Sequence, residues 1–241
     1  GSGSGGGGGS GSGSASPANA LDDDEIAGLS KGAINDLTPD EIIDLSPSAV
    51  KGFTADQVSE LSPEVISAFR TKQIKQLSAE AMQGLSPDQI SDFSPNSFKA
   101  FSSEQIEKLS RKSFKAIEPE QLAKLSKDAV TGLTTAQLRT LTGDELAAFK
   151  PGKIKSITAE SISGLKPAAL NALSKRQVQV LTEDQLAGLS RKQIKKSNDF
   201  IDGLSAQQLE VLSFNVGHSN RLIDPAADND ELLLSGFDPL T

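Results

Sequence analysis

Residues that could perform acid–base, nucleophilic or metal chemistry are few in this chain and lack partners. His218 is the only histidine, and the sequence contains no cysteine. A zinc site or a nucleophile activated by a base needs several such side chains together. Serines are common, but no base is available to activate one. We therefore expect no catalytic residue, no metal site and no cofactor, and we predict that the protein is not an enzyme.

Two acidic runs, at residues 22–25 and 228–231, are the candidates for weak calcium binding. Neither has the alternating ligands and central glycine of a dedicated calcium loop, which favours solvated acidic ends.

Residues 1–14 consist of nine Gly and five Ser. They lack the strand and the Gly-Lys-Ser/Thr motif of a phosphate-binding loop. Residues 1–20 are predicted to form a flexible or docking segment.

Three basic clusters are the candidates for anion binding. They comprise Arg111, Lys112 and Lys115; Lys150, Lys153 and Lys155; and Arg191, Lys192, Lys195 and Lys196. The net charge of −8 and the absence of Tyr and Trp argue against nucleic acid as a partner.

The net charge is unevenly distributed along the chain: it is −9 over residues 21–64, +7 over 65–200 and −6 over 201–241. Two interpretations remain open: separate solvated surfaces, or acidic ends that meet basic flanks of neighbouring molecules.

An octad repeat organises most of the chain. An apolar anchor recurs every eight residues from Ile26 to Ile194, giving 22 copies. A second apolar residue follows three positions later and is usually followed by Ser or Thr, as in SEQIEKLS (103–110). One residue is then missing, and two further copies are predicted at Ile201 and Leu209. A unit of this size cannot fold alone and must pack on its neighbours.

The spacing within each octad predicts a short helix. An i, i+3 apolar pair lies on one face of a helix but on opposite faces of a strand. The Ser or Thr is a preferred N-cap. Pro stands directly after this cap position in eight octads, where a helix tolerates proline. Thr38 and Glu41 are predicted to form a capping box. Because these prolines would break a continuous helix, we expect one helix of about six residues per octad, of either α or 3₁₀ type.

A longer period of sixteen residues is superimposed on the octad. Large polar and small residues alternate before the anchor, as in Gln105 and Ser113, and small residues recur two positions after alternate anchors, as in Gly84 and Ala100. We interpret this as two kinds of helix. One kind is wedged between neighbours, and the other exposes Gln and charged residues to water. The predicted fold class is all-α: an elongated α-solenoid with two helices, or sixteen residues, per rung.

The octad pattern resembles octapeptide-repeat segments of large secreted or cell-surface bacterial proteins. The resemblance covers roughly residues 22–213 and implies a mechanical role outside the cell. We expect the solenoid to occupy residues 21–213 and residues 214–241 to form a cap or docking tail. No run of apolar residues is long enough for a transmembrane segment.

The functional hypothesis is a stiff structural rod that forms homo-oligomers or filaments, or that binds another surface protein. No evident polar cap begins the array, and open solenoid ends invite head-to-tail stacking. The alternative is an interaction module that grips a peptide, protein or glycan in a groove of Gln and Ser/Thr.

Overall fold

The computed structural model describes residues 21–219, with side chains described as far as Ser213. This part of the chain is helical throughout and contains no strand. The 1–20 segment and residues 220–241 of the predicted tail lie outside it. In the described residues, 21 α-helices and three 3₁₀-helices follow one another with tight corners between them. The predicted α-solenoid with one short helix per octad is confirmed.

The helices are four to six residues long except for the last. The α-helices are Asp23–Ala27, Lys31–Asn35, Pro39–Asp44, Ala55–Glu60, Pro63–Ser67, Thr71–Ile74, Pro87–Asp92, Ser103–Lys108, Arg111–Lys115, Pro119–Leu122, Lys127–Thr131, Thr135–Leu138, Gly143–Ala147, Pro151–Ile154, Ala159–Ile162, Pro167–Asn171, Lys175–Gln179, Glu183–Ala187, Arg191–Lys195, Asn198–Asp202 and Ala206–Ser219. The 3₁₀-helices are Ala49–Gly52, Ala81–Gly84 and Pro95–Lys99.

Local sequence signals explain where each helix begins and ends. Ser102, for example, is extended and accepts a hydrogen bond through its side chain from the backbone N–H of Gln105. The helix ends at Lys108, because the ψ of 131° at its C-cap, Leu109, is not helical and leads the chain to the next cap. Seven of the eight prolines that follow a cap position begin a helix, at residues 39, 63, 87, 95, 119, 151 and 167. The predicted capping box of Thr38 and Glu41 is also present.

Contacts between octads run three and four copies along the chain, not between members of a sixteen-residue pair. Helix Ser103–Lys108 packs on Ala81–Gly84 and on Lys127–Thr131, each three octads away. Side-chain hydrogen bonds reach 28 and 31 residues, which is four octads. One turn of the solenoid therefore holds three to four helices, about 28 residues. The predicted rung of two helices is wrong because the sixteen-residue period marks alternation of helix type, not the length of a turn.

A continuous apolar core runs through the solenoid. The anchors from Ile26 to Leu186 are all buried, and the second apolar residue of each octad is buried from Leu45 onward. Phe93, Phe98 and Phe101 form one aromatic cluster, with ring centroids 5.0 to 6.4 Å apart. Each octad buries its apolar pair against helices three octads away, so the helices depend on one another for burial.

The final copies depart from the predicted register. Phe200 is completely buried, whereas the predicted anchors Ile201 and Leu209 are only partly buried. A strict octad after Ile194 would place the next anchor at residue 202, and the buried position lies two residues earlier, at Phe200. The last helix, Ala206–Ser219, has 14 residues and continues past the predicted end of the solenoid at residue 213.

Glycine is required where two turns touch. An ideal Cβ on Gly52, Gly84 or Gly132 would lie 1.9 Å from a backbone carbonyl oxygen 29 residues earlier in the chain. No side chain fits at that distance, so these positions allow one helix to approach the backbone of the previous turn. This confirms that the helices with small residues are wedged between their neighbours.

We expect Gly84→Ala to destabilise the fold by at least about 2 kcal/mol, because its Cβ would overlap the carbonyl group of Ala55. Gly32→Ala is the matched control. Its Cβ would meet only the Ser30 hydroxyl at 3.9 Å, so removing a flexible helical glycine should be neutral or stabilising by up to about 1 kcal/mol. Chemical denaturation monitored by circular dichroism measures both, and equal effects would contradict the close approach.

Candidate functional site

A buried glutamine recurs along the solenoid between Gln57 and Gln208. The Oε1 atom of Gln105 accepts a hydrogen bond from the backbone N–H of Ser102 at 2.9 Å, which completes a capping box. Its Nε2 atom donates to the carbonyl oxygens of Ile74 at 2.7 Å and Leu77 at 2.8 Å. One side-chain amide therefore caps its own helix and satisfies two carbonyls at the end of a helix in the previous turn.

Ten glutamines in the described part of the chain share this arrangement, and we call them the glutamine ladder. They are Gln57, Gln73, Gln89, Gln105, Gln121, Gln137, Gln177, Gln185, Gln193 and Gln208. All are buried, and the exposed fraction of each residue is at most 8 %. The expectation that glutamines face water is therefore wrong, and the predicted surface groove of Gln is not present.

The ladder joins complementary ends of helices. A helix leaves its first N–H groups and last carbonyl groups without partners inside the helix, and it carries partial positive and negative charge at these ends. The glutamine spans the gap between the start of one helix and the end of another, using its acceptor and both of its donors. An apolar residue of similar size would leave these groups buried and unpaired, which costs about 1–3 kcal/mol for each group.

Other residues substitute for glutamine at related positions. Lys153 continues the sixteen-residue series after Gln137, and its Nζ atom donates to the carbonyl oxygen of Ala123 in the previous turn. Ser113 lies in a helix of the other kind, and its hydroxyl donates to the carbonyl oxygen of Leu85 at 2.6 Å. The bond across the turn is thus retained with different donors.

Lys153 lies in an unfavourable electrostatic environment. Burial lowers its pKa below the usual lysine value, and the positive charges of Lys150 and Lys124 lower the pKa further. The side chain is only partly buried, so water screens part of these effects.

The start of the solenoid carries glutamate where the ladder would carry glutamine. Glu25 and Glu41 close the capping boxes of their helices by accepting from the backbone N–H groups of Asp22 at 2.9 Å and Thr38 at 2.8 Å. A carboxylate has no hydrogen to donate, so neither can bond to carbonyls of another turn. The ladder begins at Gln57, which donates to Ile26 and Leu29 in the first described turn. The first turn is therefore a polar, acidic end, contrary to the expectation that the array begins without one.

The residues considered for chemistry are placed as follows. In the acidic run at 22–25, Asp22 caps a helix by accepting from the N–H of Glu25 at 2.8 Å. The run at 228–231 and the side chain of His218 lie outside what the structure describes. Among the side chains that the structure describes, up to Ser213, no three His, Cys, Asp or Glu residues group as a metal site. No helix within residues 21–219 is both long and apolar enough to cross a membrane.

The basic residues remain largely at the surface. Arg111, Lys112 and Lys115 are exposed on one short helix, and the third cluster is exposed around helix Arg191–Lys195. The middle cluster gains two members from the previous turn. Lys124 lies near Lys153, and Lys127 lies over the backbone at Gly152.

Comparison of the sequence with models of known protein families gives no match. Comparison with individual characterised proteins also gives none. The resemblance to bacterial octapeptide-repeat segments therefore remains a prediction.

We expect Gln137→Glu to destabilise the fold by about 3 kcal/mol at neutral pH, because a carboxylate would face the carbonyl oxygens of Ile106 and Leu109. The protonated acid can donate to one of them, so folding should raise the pKa of this new group. The variant should then be closest to wild type near pH 4 and lose stability as the pH rises. Urea denaturation at pH 4 and pH 7 measures the difference.

Glu41→Gln is the reciprocal control for this prediction. Its capping oxygen is preserved, and its stability should stay within about 0.5 kcal/mol of wild type. If Gln137→Glu were equally harmless at pH 7, the ladder would not be a determinant of stability.

Proposed function

We propose that the protein is a non-enzymatic structural protein whose solenoid acts as a stiff rod, spacing or supporting other components outside a bacterial cell or at its surface. The observation that carries this proposal is the glutamine ladder. Its buried amides bond one turn to the previous one every sixteen residues from Gln57 to Gln137, and further amides do so between Gln177 and Gln208. A structure that repeats the same buried hydrogen bonds between turns is suited to carrying load and keeping a fixed length.

Stiffness is supported by the contact pattern. A typical helix in the middle of the array packs on helices three octads before and three octads after it, so a bend would disturb contacts in two directions. Cores packed at protein density resist such deformation. At a helix spacing of about 8–10 Å, the roughly seven turns of the described chain give a rod about 60–70 Å long.

The absence of enzymatic activity remains part of the proposal. The capping acids of the array are already engaged: Glu25, Glu41 and Glu145 all accept from backbone N–H groups of their own helices. The many serines at cap positions likewise accept from amides. Helix capping is therefore sufficient to explain these residues.

The location outside a bacterial cell rests on the octapeptide-repeat resemblance. The lack of cysteine agrees with an exported bacterial protein, but it agrees with other locations as well. Detection of the protein in the cell-surface or culture-medium fraction of its host would support this part of the proposal. Exclusive recovery from the cytoplasmic fraction would contradict it.

Filament formation is proposed to depend on the terminal segments and not on continuation of the ladder. A second copy stacked under the first turn would present carbonyl groups to Glu25, Ala33 and Glu41. None of these side chains can donate a hydrogen bond. Residues 1–20 or 220–241 would have to supply the contact between copies.

The rod predicts a single, narrow distance between its two ends. The chain has no cysteine, so Asp40→Cys together with Lys192→Cys introduces two unique labelling sites at exposed positions near opposite ends. We expect double electron–electron resonance to give one narrow distance distribution that is unchanged between low and high salt. A broad distribution in the folded protein would contradict a stiff rod.

Self-assembly makes a separate prediction. We expect electron microscopy of the concentrated 241-residue chain to show rods joined end to end. Residues 1–14 and residues 232–241 are the two candidates for the junction. Deletion of the segment that supplies it should return single rods. Dispersed rods from the undeleted chain at high concentration would contradict head-to-tail polymerisation while leaving the spacer role intact.

A further inference from the structure

Four lysines from two successive turns converge on one side of the solenoid. Lys153 reaches back to the carbonyl oxygen of Ala123, which places its ammonium group beside Lys124. Lys150 and Lys124 are both close enough to lower the pKa of Lys153 by charge repulsion. We call Lys124, Lys127, Lys150 and Lys153 the lysine cluster.

Lys127 is brought into the cluster by a glycine. An ideal Cβ on Gly152 would lie 3.3 Å from Cε and 3.6 Å from Nζ of Lys127. Most glycines of the array that make close contacts face a backbone carbonyl of the previous turn, whereas Gly152 faces this charged side chain. The absence of a side chain at residue 152 therefore allows the Lys127 ammonium group to lie against the helix that carries Lys153.

The cluster has no neutralising carboxylate. In the described part of the chain, an ion pair joins Lys31 to Glu60, which is far from this region. Asp128, next to Lys127 in sequence, instead accepts from the backbone N–H of Ser103 at 3.3 Å. No acid is among the causes that shift the pKa of Lys153. Like charges held together without counter-charges repel one another, and an anion placed between them would relieve that repulsion.

The chemistry of the cluster also restricts the ligand. Lys124, Lys127 and Lys150 are exposed, and lysine ammonium groups bind phosphate as point charges without the planar matching of arginine. The chain has no Tyr or Trp, and the phenylalanines of the described array are buried. Bases or sugar rings would therefore find no aromatic surface for stacking. Recognition here depends on charge density alone.

We propose that the lysine cluster is a binding site for a chain of adjacent phosphate groups, such as inorganic polyphosphate. Several negative charges on neighbouring phosphates can approach the four ammonium groups together, which one isolated carboxylate cannot do. This site goes beyond the proposed role as a rod and does not depend on it, since it uses surface side chains and leaves the glutamine ladder unchanged.

The test is calorimetric titration of the 241-residue chain with inorganic tripolyphosphate at 150 mM salt. The triple variant K124Q/K127Q/K150Q removes three exposed charges and keeps Lys153, which also bonds to Ala123. We expect its affinity to fall about tenfold or more. The control K51Q/K72Q/K192Q changes the net charge equally at exposed sites outside the cluster, and its affinity should change less than threefold.

A second measurement does not depend on any variant. Acetylation of lysines in the wild-type chain, followed by peptide mass spectrometry, should slow at Lys124, Lys127 and Lys150 when tripolyphosphate is present. Lys51 and Lys72 should react at unchanged rates. Absence of binding at 150 mM salt, equal losses in the two triple variants, or uniform protection of all lysines would overturn the proposal. Binding of single-stranded DNA that tripolyphosphate cannot displace would also overturn it, in favour of nucleic acid.

Discussion

The fold depends on one hydrogen-bonding joint, the side-chain amide of a buried glutamine between two turns. The amide has an acceptor that closes the cap of its own helix and two donor hydrogens that satisfy carbonyls of the previous turn. Helices of four to six residues have most of their backbone groups near an end, where partners inside the helix are missing. A solenoid built from such helices is stable only if these end groups find partners elsewhere, and the ladder supplies them.

The same requirement explains how the two kinds of helix cooperate. Helices of the glutamine kind provide the bonds across turns, and helices of the small-residue kind allow the turns to come close. At Gly84 and Gly132, the approach is so close that a Cβ would overlap the carbonyl group opposite. An ammonium group or a hydroxyl can replace the amide at some positions, as Lys153 and Ser113 do. The bond across the turn can therefore be made by donors other than glutamine.

Departures from the repeat are where this chain differs from a uniform rod. At the start, Glu25 and Glu41 keep the capping function and lose the ability to donate, so the ladder ends there. In the middle, Lys153 keeps the donor and brings a charge into contact with lysines of the previous turn. The first departure gives the rod a distinct acidic end. The second brings like charges from two turns together, which the packing of the rod does not require.

The sequence by itself determined the class of fold and the local structure. The octad spacing, the Ser or Thr caps and the prolines predicted one short helix per octad, because these signals act within a single helix and its first turn. The sequence also determined that alternate helices differ, but tertiary structure decided what the difference means. Burial of Gln105, the turn of three to four helices and the meeting of Lys127 with Gly152 all depend on contacts 25 to 31 residues apart. The sequence pattern of a capping glutamine is the same whether its amide faces water or a carbonyl of the previous turn. Which of these two the amide contacts depends on the total rotation of the chain over several successive helices and corners.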